Sequence, residues 1–135
     1  MTLDTFDAPG DYINGAFVVP DAPDETLRIL SPADQNDVVG VHPVAHDHVD
    51  QAIDAARRAY PAWRRLGEAK RRELLRKYQE VVRGYEAQIA ETIAREVGKP
   101  LWDAMGEAKA LAGKVDLMLG EGARFTRDEA LDDLP

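Results

Sequence analysis

Apolar residues follow two different periods along this chain. In the first third they come as short runs of β-branched and aromatic residues broken by turn formers. Tyr12-Ile13-Asn14-Gly15-Ala16-Phe17-Val18 predicts a tight hairpin, since Asn-Gly supplies the two positive-φ positions of a type I′ turn. A Pro/Asp-rich loop runs from Pro20 to Glu25, and Leu27-Arg28-Ile29-Leu30 predicts a further strand. The turn cluster Ser31 to Asp37 then leads into a returning strand at Val38-Val39-Gly40-Val41.

From Val49 onward the spacing becomes helical. Val49, Ala52, Ile53, Ala56 and Tyr60 mark one amphipathic helix, with Asp47 as its N-cap and Pro61 as its end. A second helix opens near Glu68 with a stripe of Leu74, Leu75, Tyr78, Val81 and Val82. Gly84 kinks or breaks it, and Tyr85, Ile89 and Ile93 continue the face. Gly98 predicts a helix end, and Pro100 a new first turn. The last helix carries Leu101, Ala104, Met105, Ala108, Leu111, Val115 and Met118 on one side, and Gly120 and Gly122 end it. The fold class is therefore α+β: a short N-terminal β-hairpin and strand pair followed by three to four amphipathic α-helices. Residues 1–11 read as a flexible leader, 12–127 as the structured segment and 128–135 as an acidic tail.

Composition narrows the chemistry more than the fold. The chain has 135 residues, 44% of them hydrophobic and 31% charged, which fits a globular domain or a piece of a larger one. No apolar run is long enough to span a bilayer, and the first residues lack the pattern of a secretory signal. There is no cysteine, so these residues offer no disulfide, thiolate ligand or thiol nucleophile, and a cytoplasmic location is the default expectation. The net charge of −8 argues against general binding to nucleic acid or anionic membrane. Arg57 to Lys77 nevertheless holds nine of the 17 basic residues and only two acids.

The candidate chemistry thins out on inspection. His42, His46 and His48 lie near Asp47 and Asp50, but in no usual zinc spacing, and read as exposed loop histidines. The basic stretch reads as a solvated helix face, because Arg71, Arg72, Arg76 and Lys77 surround the apolar stripe without a nucleic-acid motif. Glu96 with Asp103 or Glu107 could form a carboxylate pair, though the sequence gives no apolar pocket to isolate it. Gly-rich phosphate loops are absent, and Ser31, the one serine, precedes a proline in a turn rather than standing in a nucleophile elbow.

The order of short motifs is more telling than any one of them. Tyr12-Ile13-Asn14-Gly15, Ser31-Pro32-Ala33, Val49-Asp50-Gln51-Ala52-Ile53, Ala59-Tyr60-Pro61-Ala62-Trp63, Arg72 with Leu75-Arg76-Lys77, and Glu96-Val97-Gly98-Lys99-Pro100 follow one another at set intervals. This series resembles the N-terminal portion of the NAD(P)-dependent aldehyde dehydrogenase superfamily, from about Tyr12 to about Arg127. Leu101-Trp102-Asp103-Ala104 with Glu107 is most similar to the succinylglutamate-semialdehyde dehydrogenase branch.

The resemblance implies a partial piece of an α/β, Rossmann-like cofactor-binding domain, whose parallel sheet forms from later sequence. It implies oxidation of an aldehyde to a carboxylic acid by the complete enzyme, with NAD or NADP. No catalytic and no cofactor-binding residue of the family falls on this chain, so the chain alone is expected to be inactive and without a cofactor. In some family members backbone carbonyls and a carboxylate hold a structural monovalent cation; the matching positions are Ile29, Leu30 and Glu96. The apolar faces of the second and third helices would meet the later sheet. The expected partners are thus a separate catalytic half, or self-association through exposed apolar helix faces, with no membrane and nucleic acid disfavoured. A non-enzymatic helical interaction module, using its basic helix face or its exposed apolar faces, is the alternative.

Overall fold

The structure, a computed structural model, describes residues 5–7 and 9–126; the acidic tail read at 128–135 lies outside them. Strand β1 (Phe6–Asp7) falls within the span read as a leader and pairs parallel to β5 (Val38–Val44). β4 (Glu25–Leu30) pairs antiparallel on the other side of β5, giving a sheet of order β1-β5-β4. β2 (Asp11–Ile13) and β3 (Ala16–Val18) form the separate hairpin. Asn14 at φ 52° and Gly15 at φ 88° make its turn. Tyr12 and Phe17 face each other across it, ring edge to ring face with centroids 5.2 Å apart.

Four helices follow: α1 (Asp47–Arg65), α2 (Gly67–Gly84), α3 (Glu86–Val97) and α4 (Leu101–Leu119), then a 3-10 turn at Glu121–Thr126. The expected break at Gly84 is present, since α2 stops there and α3 starts two residues later. None of the helices among the described residues is long and apolar enough to cross a membrane.

Both boundaries of α1 differ from the sequence reading. Pro61 does not end α1, which runs four residues further. Proline already has a helical φ, and here it removes one bond, to the Arg57 carbonyl, on a face open to water. Solvent can satisfy that carbonyl, so the penalty is small enough for the helix to continue. Asp47 is likewise the first helical residue rather than the cap. Its carboxylate accepts from Gln51 Nε2 at 2.9 Å, while the preceding His46 N–H donates to Asp24 Oδ2 at 2.7 Å. The chain start of α1 is thus tied to the loop before β4.

The core is narrow and built from small residues. Ala90 on α3 and Ala104 and Ala108 on α4 are fully buried, with Ile89, Ile93, Ala94 and Met105 packed around them. Alanine at the contact lets the two helix axes approach closely. On α4 the buried line is Ala104, Ala108, Ala112 and Val115. Leu101, Leu111 and Met118, expected on the same side, are exposed. The apolar arc of α4 is wider than the strip that α2 and α3 cover. The same holds on α2, where Val82 is buried but Tyr78 and Val81 are open, and on α1, where Val49, Ile53 and Tyr60 are open. Large apolar surface therefore faces outward on three helices.

Candidate functional site

Two motifs more than sixty residues apart, Ser31-Pro32-Ala33 and Glu96-Val97-Gly98-Lys99-Pro100, meet in space. α3 ends in Gly98, whose φ of 71° lies in the left-handed region. Its N–H and that of Lys99 donate to the Ala94 carbonyl at 2.9 and 3.2 Å. A Cβ placed on Gly98 would stand 2.6 Å from Pro32 Cγ. Glycine is required twice over, for the backbone turn and for contact with the Ser31-Pro32 turn. Pro100 stands just outside α4 in extended geometry, and its carbonyl accepts from the N–H groups of Asp103 and Ala104. Proline is thus the cap of α4, one position before the expected first turn.

A fork-shaped ion pair locks this junction. Arg95 donates through Nη2 to Asp37 Oδ1 at 2.7 Å and through Nε to Asp37 Oδ2 at 3.1 Å. Both side chains are largely buried. The Asp37 backbone closes the loop, donating to the Asp34 carbonyl and accepting from the buried Ser31 N–H. The hydrogen bonds from Arg95 hold the Asp37 carboxyl below its ordinary range; burial opposes this, and the guanidinium charge adds to it. A depressed folded-state value means that the pair stabilises above the unfolded carboxyl's range and is lost as pH falls through the lower, folded value. Acid titration by circular dichroism should therefore show wild type more stable than Asp37→Asn at neutral pH, with the gap closing below about pH 4. A gap independent of pH would contradict this.

Lys99 completes the corner. Its Nζ lies 2.6 Å from Asp103 Oδ2 and also bonds Glu107 Oε1. The ammonium is held charged above its usual range, first by Asp103 and then by Glu107. Asp103 and Glu107 thus converge on Lys99 and not on Glu96, so the carboxylate pairing considered from sequence becomes a lysine clamp on the first turns of α4.

Of the three residues matched to a cation site, two share one cleft. Ile29 and Glu96 line a space of about 170 Å³ with Val39, Gly40, His42 and Thr92. The register between β4 and β5 slips between Ile29 and Leu30, so Leu30 pairs with Val38 and the ladder is irregular at the residues the resemblance singles out. Leu30 itself does not line the cleft.

The histidines do not share one exposed loop: His42 is half-buried in β5, His46 is exposed just before α1, and His42 and His48 line one cleft. His48 is buried, against the expectation of an exposed residue, and its Nδ1 lies 2.7 Å from Asp11 Oδ2. It anchors the hairpin on α1, because its position on the helix faces β2 rather than solvent. Among the described residues no three His, Asp or Glu side chains gather around a point.

Part of the basic stretch is internal wiring rather than a solvated face. Arg72 Nη1 donates to the Leu119 carbonyl at 2.6 Å, and Arg76 bonds both Asp116 and Gln79 on the α2–α4 contact. Gln79, almost wholly buried, donates to the Ala112 carbonyl at 2.9 Å and to Asp116 Oδ2 at 2.7 Å. Hydrogen bonds from Arg76 and Gln79 hold the Asp116 carboxyl below its ordinary range. Glu73, between Lys70 and Lys77, is lowered to about 2 by their hydrogen bonds. Gln79 escaped the sequence reading. Its signal was a polar residue at the spacing of Leu75 and Val82 on an otherwise apolar face.

Known proteins share this fold. A sequence profile described as "Aldehyde dehydrogenase family" matches residues 18–133. N-succinylglutamate 5-semialdehyde dehydrogenase of Chromobacterium violaceum is 34% identical over 119 residues, covering 88% of this chain and 24% of that protein. Alpha-ketoglutaric semialdehyde dehydrogenase of Bacillus subtilis is 35% identical, covering 87% of this chain and 24% of its own length. Among solved structures, lactaldehyde dehydrogenase of Escherichia coli superimposes with a TM-score of 0.81 at 32% identity, covering 98% of this chain and 27% of that one. The chain thus spans about a quarter of the length of these proteins, and its fold is a partial piece of theirs. With the profile covering most of its residues, the chain belongs to the aldehyde dehydrogenase family.

Proposed function

We propose that these residues are the front scaffold of an NAD- or NADP-dependent enzyme that oxidises an aldehyde to a carboxylic acid. They hold no catalytic or cofactor site of their own. In the family a cysteine thiolate attacks the aldehyde, hydride leaves to the nicotinamide, and a glutamate activates water to release the acid. Thiolate nucleophilicity has no substitute among the residues of this chain, which has no cysteine. The observation that carries the reading is the motif junction: Gly98 packs against Pro32 and Arg95 clasps Asp37, so the motifs that carry the family resemblance form one structural corner. Two relatives named for semialdehydes that carry carboxyl groups support a substrate of that class. A cytoplasmic location is part of the same proposal.

A catalytic half supplied elsewhere would cover the open faces of α2 and α3, where Val81, Val82, Tyr85, Ile89 and Ile93 line an apolar groove of about 440 Å³. Such surface favours burial by about 25 cal/mol per Å². The same exposed faces support the second reading, an interaction module without enzymic role. Incubating the chain with semialdehydes and either nucleotide should give no reduced cofactor; steady turnover by the chain alone would overturn the proposal.

The proposed cation site uses Glu96 and the backbone carbonyls of Ile29 and Leu30, oxygen ligands suited to a hard ion. Bound there, a monovalent cation would tie the β4–β5 irregularity to the end of α3. Sodium or potassium should then raise the melting temperature of wild type and leave Glu96→Gln unchanged. Equal shifts in both proteins would remove the site.

A further inference from the structure

We propose that α1 pairs antiparallel with α1 of a second copy of this chain. Val49, Ile53, Ala56, Tyr60 and Trp63 recur at alternating steps of four and three, the period of a two-helix seam. The paired part of the seam lies open, with Ile53 43%, Tyr60 60% and Trp63 40% exposed. The hairpin borders the adjacent stripe: His48 and Ala55 are buried, and Ala52, Ala55, Ala56 and Ala59 line a groove with Tyr12 and Ile13, so exposed Ala56 is the edge shared by stripe and seam. Pro61 falls at a position outside the seam and so does not interrupt it.

The charge on α1 says what covers this face. Asp47, Asp50 and Asp54 occupy its first half, and Arg57, Arg58, Arg64 and Arg65 its second. In this register a parallel copy would set Asp50, Arg57 and Arg64 beside alanines, whereas an antiparallel copy sets Asp50 against Arg64. The register follows from heptad geometry. Ile53 packs against Trp63 of the second copy, and Ala56 against Tyr60 of the second copy, so a smaller side chain meets a larger one in each layer. Asp50 then flanks Arg64 of the second copy, twice by symmetry. Among the described residues neither Asp50 nor Arg64 has an ion pair within its own chain. Arg57, which would meet itself at the centre, is paired with its own Asp54 at 3.5 Å. The self-pairing is independent of the enzymic reading, since it needs only this helix.

Sedimentation equilibrium tests it. Wild type should form a dimer in a concentration-dependent equilibrium. Arg64→Asp should weaken the dimer about tenfold, by placing like charges together at two sites. Asp50→Arg combined with Arg64→Asp should restore it, with helix content by circular dichroism unchanged throughout. A wild-type monomer at all concentrations, or a dimer blind to both changes, overturns the proposal. So does a monomer that binds a cysteine-bearing dehydrogenase chain through Ile53 and Tyr60, which would give the seam to another partner.

Discussion

Replacing Gly98 by alanine is expected to lower stability by roughly 2–4 kcal/mol, from left-handed strain and from overpacking together. The two contributions can be separated. The first arises because φ at this position is 71°, a region where a Cβ crowds the next carbonyl. The second arises because the new methyl would sit 2.6 Å from Pro32 Cγ. Gly98→Asn tolerates the backbone region better but keeps the clash, so it should recover only part of the loss. Pro32→Ala in the Gly98→Ala background removes the ring that is struck. That double variant should be less destabilised than the two single changes sum to, the mark of residues in contact. Strict additivity in denaturant melts would show that the junction does not pack as described.

Gln79→Ala carries the second large effect, a loss of about 2–4 kcal/mol, because it removes buried hydrogen bonds and leaves a void. The Gln79 amide reaches both the Ala112 carbonyl and Asp116 while accepting from Arg76. Without it the Ala112 carbonyl loses this buried donor at the α2–α4 contact. Gln79→Leu fills most of the volume yet leaves the same carbonyl short, so it should cost about 1–3 kcal/mol. If leucine were neutral, packing and not hydrogen bonding would hold α2 to α4. Urea unfolding followed by helix signal would rank the three proteins.

The same residues show what local sequence could and could not convey. Asn14-Gly15 announced the hairpin because a type I′ turn has few alternatives, and Gly84 and Gly98 announced breaks because backbone freedom is local. Pro61 misled because its penalty depends on whether the orphaned carbonyl is wet, which only the fold decides. The stripe on α4 was visible, but not which edge of it would be covered: Ala108 and Leu111 both lie on the apolar arc, and one is buried while the other is open. Gln79, His48 and Arg95 were missed or misread for a common reason. Each gains its role from a partner more than thirty residues away, at Ala112, Asp11 and Asp37 respectively. Periodicity records which face is apolar and says nothing of such distant polar partners. The Pro32–Gly98 contact was legible only as two motifs in order, whose meeting in space the structure supplies.

The central claim is that this chain positions and does not react. It is tested most directly by co-expressing it with the remainder of the Chromobacterium violaceum relative, the part this chain does not cover, and following reduced nucleotide with a semialdehyde substrate. The account predicts that neither chain turns over alone, that the two co-purify, and that the pair reduces cofactor. Turnover by the 135 residues unaided, or a remainder that is fully active and gains nothing from them, would contradict it.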